Sequence, residues 1–97
     1  MNIGKTIKEL RNEQGITQVE LALKSKITQA ALSAIENGKR PGTTTLKNLC
    51  NSLNVPEALL YALSMELSDV KESQEVLYSQ LFPVIKDLVL KIVKSKD

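Results

Sequence analysis

Ninety-seven residues, 42% of them hydrophobic but only 3% aromatic, with a formal charge of +2, describe one small domain with room for an appended element. The chain has no His and a single Cys, Cys50, which excludes an internal disulfide and leaves no side-chain set for a zinc site or a His-based catalytic centre. No apolar run is long enough for a signal peptide or a membrane span, so a reducing, cytoplasmic setting is expected, with no metal, no cofactor and no enzymatic activity.

The first predicted helix is Ile3–Gln14. Ile3, Ile7 and Leu10 recur at i, i+4 and i+7 and give it one apolar face, and Gly15 stops it. Thr17 then opens a second helix. Glu20, three residues on, completes a capping box, in which the Thr hydroxyl and the Glu carboxylate each satisfy an otherwise orphan backbone N–H. Leu21 and Ala22 face inward, and Ser25–Ile27 form a turn. Thr28 caps a third helix, Thr28–Asn37, with Leu32 and Ile35 on its buried face and Gly38 at its end. Pro41-Gly42 is a loop signal. Thr43–Leu53 is the fourth helix, with Leu46, Leu49, Cys50 and Leu53 inward. Pro56 sits where the first turn of a fifth helix tolerates it, and that helix runs to Leu63. No strand pattern occurs, so the expected class is all-α: five short helices in a compact bundle.

Residues 64–97 differ in character. Glu, Ser and Asp dominate 66–75. Leu67, Val70, Gln74, Leu77, Leu81, Val84 and Leu88 then fall at spacings of three and four, a heptad-like seam with one polar position. From Leu81 onward the apolar face widens. Leu81, Phe82, Val84, Ile85, Leu88, Val89, Ile92 and Val93 cover roughly half the circumference at ~100° per residue. Pro83 either starts a new helix here or bends a long one. The Lys residues at 86, 91, 94 and 96 are a solvated face rather than a membrane-binding one, and no membrane partner is expected.

Charge is uneven along the chain. Residues 1–50 hold eight basic and four acidic side chains, a net +4, while 51–97 hold five basic and seven acidic, a net −2. The basic half also contains residues 17–40, where two capped helices flank a short turn. That is the layout of a helix-turn-helix, whose second helix enters the major groove of double-stranded DNA.

These features resemble the Cro and phage-repressor type of helix-turn-helix domain, found in bacterial and phage transcription regulators. Thr17-Gln18, Leu21-Ala22, Leu32-Ser33-Ala34-Ile35 and Glu36-Asn37-Gly38-Lys39-Arg40-Pro41 carry the likeness, which covers Ile3–Leu63. The resemblance implies a five-helix lambda-repressor-like DNA-binding domain over residues 1–63, followed by a C-terminal helical dimerisation extension over 64–97. It also implies roles for single residues. Gln18 would bond a phosphate, aided by backbone N–H groups of its helix N-terminus. Thr28 opens the recognition helix at the DNA, and Gln29 would read adenine with its amide. Ala30 would meet a thymine methyl, and Ser33 a base or phosphate. Asn37, Lys39 and Arg40 would grip the backbone beyond the helix. Arg11 and Glu36 would pair between the first and third helices.

Two departures stand out. The turn usually carries a glycine where this chain has Lys26. A left-handed conformation there costs a non-glycine residue about 1 kcal/mol, which favours a longer or differently shaped turn. Ala30, Ala31 and Ala34 leave the recognition helix poor in long polar readers, so DNA shape is expected to carry part of any specificity. Self-association is expected through Leu81, Ile85, Leu88 and Ile92. The expected function is a sequence-specific regulator, a repressor in the first instance, acting as a homodimer on a roughly palindromic operator. The alternative is a DNA-binding antitoxin whose C-terminal segment clasps a toxin, and another regulator is a further possible protein partner. Residues 64–97 are too few for a ligand-binding domain, so a signal would act through a partner, concentration or the dimer interface.

Overall fold

The computed structural model describes residues 1–66, 69 and 74–95, the side chains of 77 and 93–95 excepted. It contains six helices and no strand among those residues: α1 (Ile3–Glu13), α2 (Gln18–Lys24), α3 (Gln29–Glu36), α4 (Thr43–Leu53), α5 (Glu57–Ser64) and α6 (Glu75–Ser95). Each of the first three opens on a side-chain cap, from Asn2, Thr17 and Thr28. At α2 the capping box is complete. The Thr17 hydroxyl accepts from the Glu20 N–H at 3.1 Å, and the Thr17 N–H donates to Glu20 at 3.0 Å.

The core is one cluster to which all five short helices contribute. Ile7, Leu10, Leu21, Leu32, Leu49, Leu53 and Leu60 are fully buried, with Ala22, Ile35, Leu46, Cys50, Val55 and Leu63 around them. Burial of each large side chain contributes about 1.5–3 kcal/mol. The expected inward faces of α1 to α4 are therefore the observed ones. Pro56 is the N-cap of α5 rather than a residue within its first turn, and the helix extends to Ser64.

The turn between α2 and α3 has the ordinary tight shape, not a lengthened one. Lys26 adopts the left-handed conformation itself, with φ of 60°. Buried Ser25 anchors the turn to α4, bonding Ser52 Oγ at 2.9 Å and receiving Asn48 Nδ2 at its carbonyl at 3.4 Å. This packing holds Lys26 in a conformation that its Cβ disfavours.

At Gly4 α1 meets α3 with no gap. A Cβ built there would overlap the Ile35 carbonyl oxygen. That close approach sets the angle at which α3 is presented.

The long helix α6 continues through Pro83 without a break. It lies against α1, with Val89 and Leu90 packed on the core cluster and Lys86 Nζ 3.0 Å from Glu9 Oε2. The wide apolar face thus divides in two. Phe82 and Val89 are half-buried, whereas Leu81, Val84, Ile85, Leu88 and Ile92 remain exposed. Leu67 and Val70 of the heptad-like seam, and Lys96, lie outside the described residues, as do the side chains of Leu77, Val93 and Lys94.

Candidate nucleic-acid interface

Recognition of a duplex needs an exposed helix held rigidly from behind. On α3 the inward residues Leu32 and Ile35 are 0% and 4% exposed, which fixes the helix by its back. Thr28, Gln29 and Ala30 are exposed at its N-terminal end, and Ser33 is half-buried. Gln29, Ser33 and Asn37 follow one another at four-residue spacing, so they form one stripe running into the loop. Exposed Lys39 and Arg40 continue it. The Thr28 hydroxyl accepts from the Ala31 N–H at 3.0 Å, so its role in the free chain is to cap the helix.

Behind the stripe is an ionic cluster joining three helices. Arg11 Nε and Nη2 donate to Glu36 Oε2 and Oε1 at 2.8 and 3.1 Å, a bidentate pair. The Arg11 and Glu36 side chains are 11% and 2% exposed. Arg11 Nη1 also donates to the Ile16 carbonyl at 3.0 Å, which ties the α1–α2 connection to the cluster. Burial alone would raise the Glu36 carboxyl. The hydrogen bonds from Arg11 and Gln18, with the positive charges of Arg11 and Lys8, outweigh it and hold the group below the usual glutamate range.

Gln18 is half-buried, and its Nε2 donates to Glu36 Oε1 at 2.9 Å. The amide nitrogen expected to reach a phosphate is therefore engaged within the protein. Glu36 orients Gln18, whose amide nitrogen carries a second N–H that this bond does not use. Lys8, which the sequence analysis does not single out, lies close by. Lys5 and Lys8 line a depression of about 330 Å³ with Glu36, Asn37 and Gly38. Lys8 thus stands beside Asn37 and Glu36. Its three-residue spacing from Arg11 on α1 was the available signal.

Leu81, Ile85, Leu88 and Ile92 share the exposed side of α6 and lie apart from this cluster. Each is between 49% and 67% exposed.

With the geometry in place, the class of protein is defined. The helix-turn-helix family matches residues 7–60, more than half of the chain, and the chain belongs to it, with the Cro and phage-repressor type of arrangement. Among individual proteins it is similar to the HTH-type transcriptional repressor RghR of Bacillus subtilis (strain 168). They are 40% identical over 63 residues, which covers 62% of this chain and 47% of that protein. It is also similar to the uncharacterized HTH-type transcriptional regulator RghRB of the same strain, at 36% identity over 74% of this chain and 56% of the relative. The immunity repressor protein of Bacillus phage phi105 is 32% identical over 76% of this chain and 50% of its own length. The chain spans about half the length of these three relatives. No solved structure matches it.

Proposed function

We propose that this chain is a sequence-specific DNA-binding transcription regulator, acting as a repressor from a homodimer on a roughly palindromic operator. The observation that carries this reading is the exposed stripe of Gln29, Ser33 and Asn37 on a helix whose opposite side is locked into the core. Gln29 is the base reader, its amide offering a donor and an acceptor to adenine. Ala30 meets a thymine methyl. Thr28, Ser33, Asn37, Lys39 and Arg40 hold the sugar–phosphate backbone, which fixes register rather than sequence. Gln18, oriented by Glu36, adds the contact at the N-terminus of α2, and Lys8 adds a positive charge beside Asn37.

Repression is steric: a protein seated on a promoter excludes the polymerase. The relatives named as repressors support this sign of regulation. Among the described residues no helix is long and apolar enough to cross a membrane, and we place the protein in the cytoplasm, where the chromosome is. Two functional units follow, a DNA-binding head over 1–63 and a pairing segment over 64–97.

The test is selection of duplexes from a random pool by the full chain, followed by affinity measurements on the winner at several salt concentrations. A recovered sequence with two related half-sites, bound at least about a thousandfold tighter than random DNA, is expected. Recovery of no sequence above background would defeat the reading.

A further inference from the structure

The C-terminal end of α3 and the loop beyond it meet a second element, the first turn of α1. At Gly4 the backbone of α1 stands against the Ile35 carbonyl, with no room for a Cβ between them. That approach sets the start of α1 beside residues 36–38. Gly4, Lys8 and Arg11 follow one another at i, i+4 and i+7, so they share one side of the helix. Arg11 is engaged by Glu36. Lys8, and Lys5 next to Gly4, are exposed.

Two depressions adjoin at this junction. The larger, of about 330 Å³, holds Lys5 and Lys8. The smaller, of about 110 Å³, lies between residues 2–4 and residues 38–41 and has Lys39 and Arg40 on its wall. Asn2 and Gly38 border both, so the two form one notch. Its charge is one-sided. Lys5, Lys8, Lys39 and Arg40 make no ion pair among the described residues. Glu36 is the one carboxylate on its walls, and Arg11 already neutralises it. The Met1 amino group at the rim is paired with Glu66 and Asp69 at 3.0 and 2.8 Å. The backbone offers no spare donor in the loop, since the N–H groups of Asn37, Gly38 and Lys39 all bond carbonyls of α3. An anion here is therefore held by side chains. Four uncompensated cations along a concave path focus a positive potential on whatever lies in it, and their spread over two joined depressions fits a chain of anions better than one small ion.

We propose that this notch is a seat for the phosphate backbone of DNA and that Lys5, on the first turn of α1, is a phosphate-binding residue. The inference rests on the reading of α3 as the recognition helix and extends the interface beyond the helix-turn-helix itself. The strand that passes the C-terminal end of α3 continues over Asn2 and Gly38, with Lys5 and Lys8 on one wall and Lys39 and Arg40 on the other. The missing side chain at Gly4 is what lets the two walls stand so close. Contacts of this kind neutralise charge and release counterions without touching a base, so they strengthen binding to every sequence alike. For a recognition helix with few polar readers, they supply affinity that base contacts do not.

The experiment compares the full chain with Lys5→Ala on the selected duplex and on a random one, at several salt concentrations. The slope of log affinity against log salt should fall by about 0.9 on both duplexes, and affinity at about 0.15 M salt by about three- to tenfold on both. Phosphate-ethylation interference then locates the contact. One or two ethylated phosphates that block the parent should no longer penalise Lys5→Ala, while the remaining blocked positions are kept. An unchanged salt slope would overturn the proposal. So would a lower slope with every blocked position retained, which marks the general field of the charge rather than a contact. In both of those cases the parent still selects its duplex, and the reading of α3 stands. A parent that binds no duplex overturns that reading, and this proposal with it.

Discussion

A single methyl group at residue 4 is enough to force α1 and α3 apart, because the Cβ of an alanine would occupy the place of the Ile35 carbonyl oxygen. Both partners are backbone, so no side-chain rotation relieves the overlap. Gly4→Ala is expected to destabilise the chain by about 3 kcal/mol, at the upper end for overpacking, and urea unfolding measures it. Unchanged stability would show that the helices do not touch there. The sequence pattern does not single out this glycine, because helical periodicity reports which residues face inward but not how near two backbones come. The exposed position of Gln29 was legible, since a capped helix start fixes which residue follows the cap. Gln29→Ala should cost ~1–3 kcal/mol at the selected site and relax discrimination at one base pair, with little change on random DNA. Equal losses on both would remove Gln29 from the reader's role. Cys50 is the opposite case, a reactive residue type made inert. Burial, with a smaller contribution from the charge of Glu57, pushes its thiol up to about 11, so thiol reagents should label it only after unfolding.

The elements of the head are held in register by ion pairs as well as by apolar packing, and this makes stability depend on pH. Glu36 ionises below its ordinary range when folded, because Arg11, Gln18 and Lys8 outweigh the cost of burial. A depressed carboxyl contributes fully above its unfolded value, near pH 4.3, and loses that contribution as pH falls through the lower folded value. Urea stability of the parent should therefore decline below about pH 4.5 more steeply than that of Glu36→Gln. At neutral pH Glu36→Ala should cost toward the lower end of the ~3–5 kcal/mol seen for fully buried pairs, since Arg11 keeps a little exposure. Parallel pH curves would show that the carboxylate is not stabilised in the folded state. Salt dependence tests the elements proposed to face the phosphates. Lys39→Ala with Arg40→Ala should lower the slope of log affinity against log salt by about 1 for each phosphate no longer neutralised, and Lys8→Ala by about one more. An unchanged slope for Lys8→Ala would remove α1 from the track. The five short helices were legible from caps and apolar spacing because their signals are local. The turn at Lys26 was not. The bonds of Ser25 to α4 that hold it join residues more than twenty positions apart in the chain, and local chemistry predicted the cost without showing what offsets it.

For the molecule as a whole, the central question is how one short recognition helix with few polar readers gains useful affinity. The head covers part of α6, through Phe82, Lys86, Val89 and Leu90, and leaves the opposite stripe in water. Leu81, Ile85, Leu88 and Ile92 stand at alternating four- and three-residue spacing, each about half exposed or more, with Val84 beside them. That is the geometry of a two-helix seam, and a second copy supplies a matching one by two-fold symmetry. Pairing there would bring two heads to one duplex, with their recognition helices about 34 Å apart if they are to enter successive major-groove turns. The second head then binds at a high effective concentration, which offsets the weakness of each alone. Sedimentation equilibrium of the full chain should show a dimer at tens of micromolar. Leu88→Asp buries two charges at the seam and should weaken self-association by at least about a hundredfold. Its affinity for a two-half-site duplex should fall in parallel, while its affinity for a single half-site stays that of the parent. A monomeric parent at those concentrations, or a Leu88→Asp variant that still dimerises, would place the association elsewhere and leave the exposed stripe for a different protein.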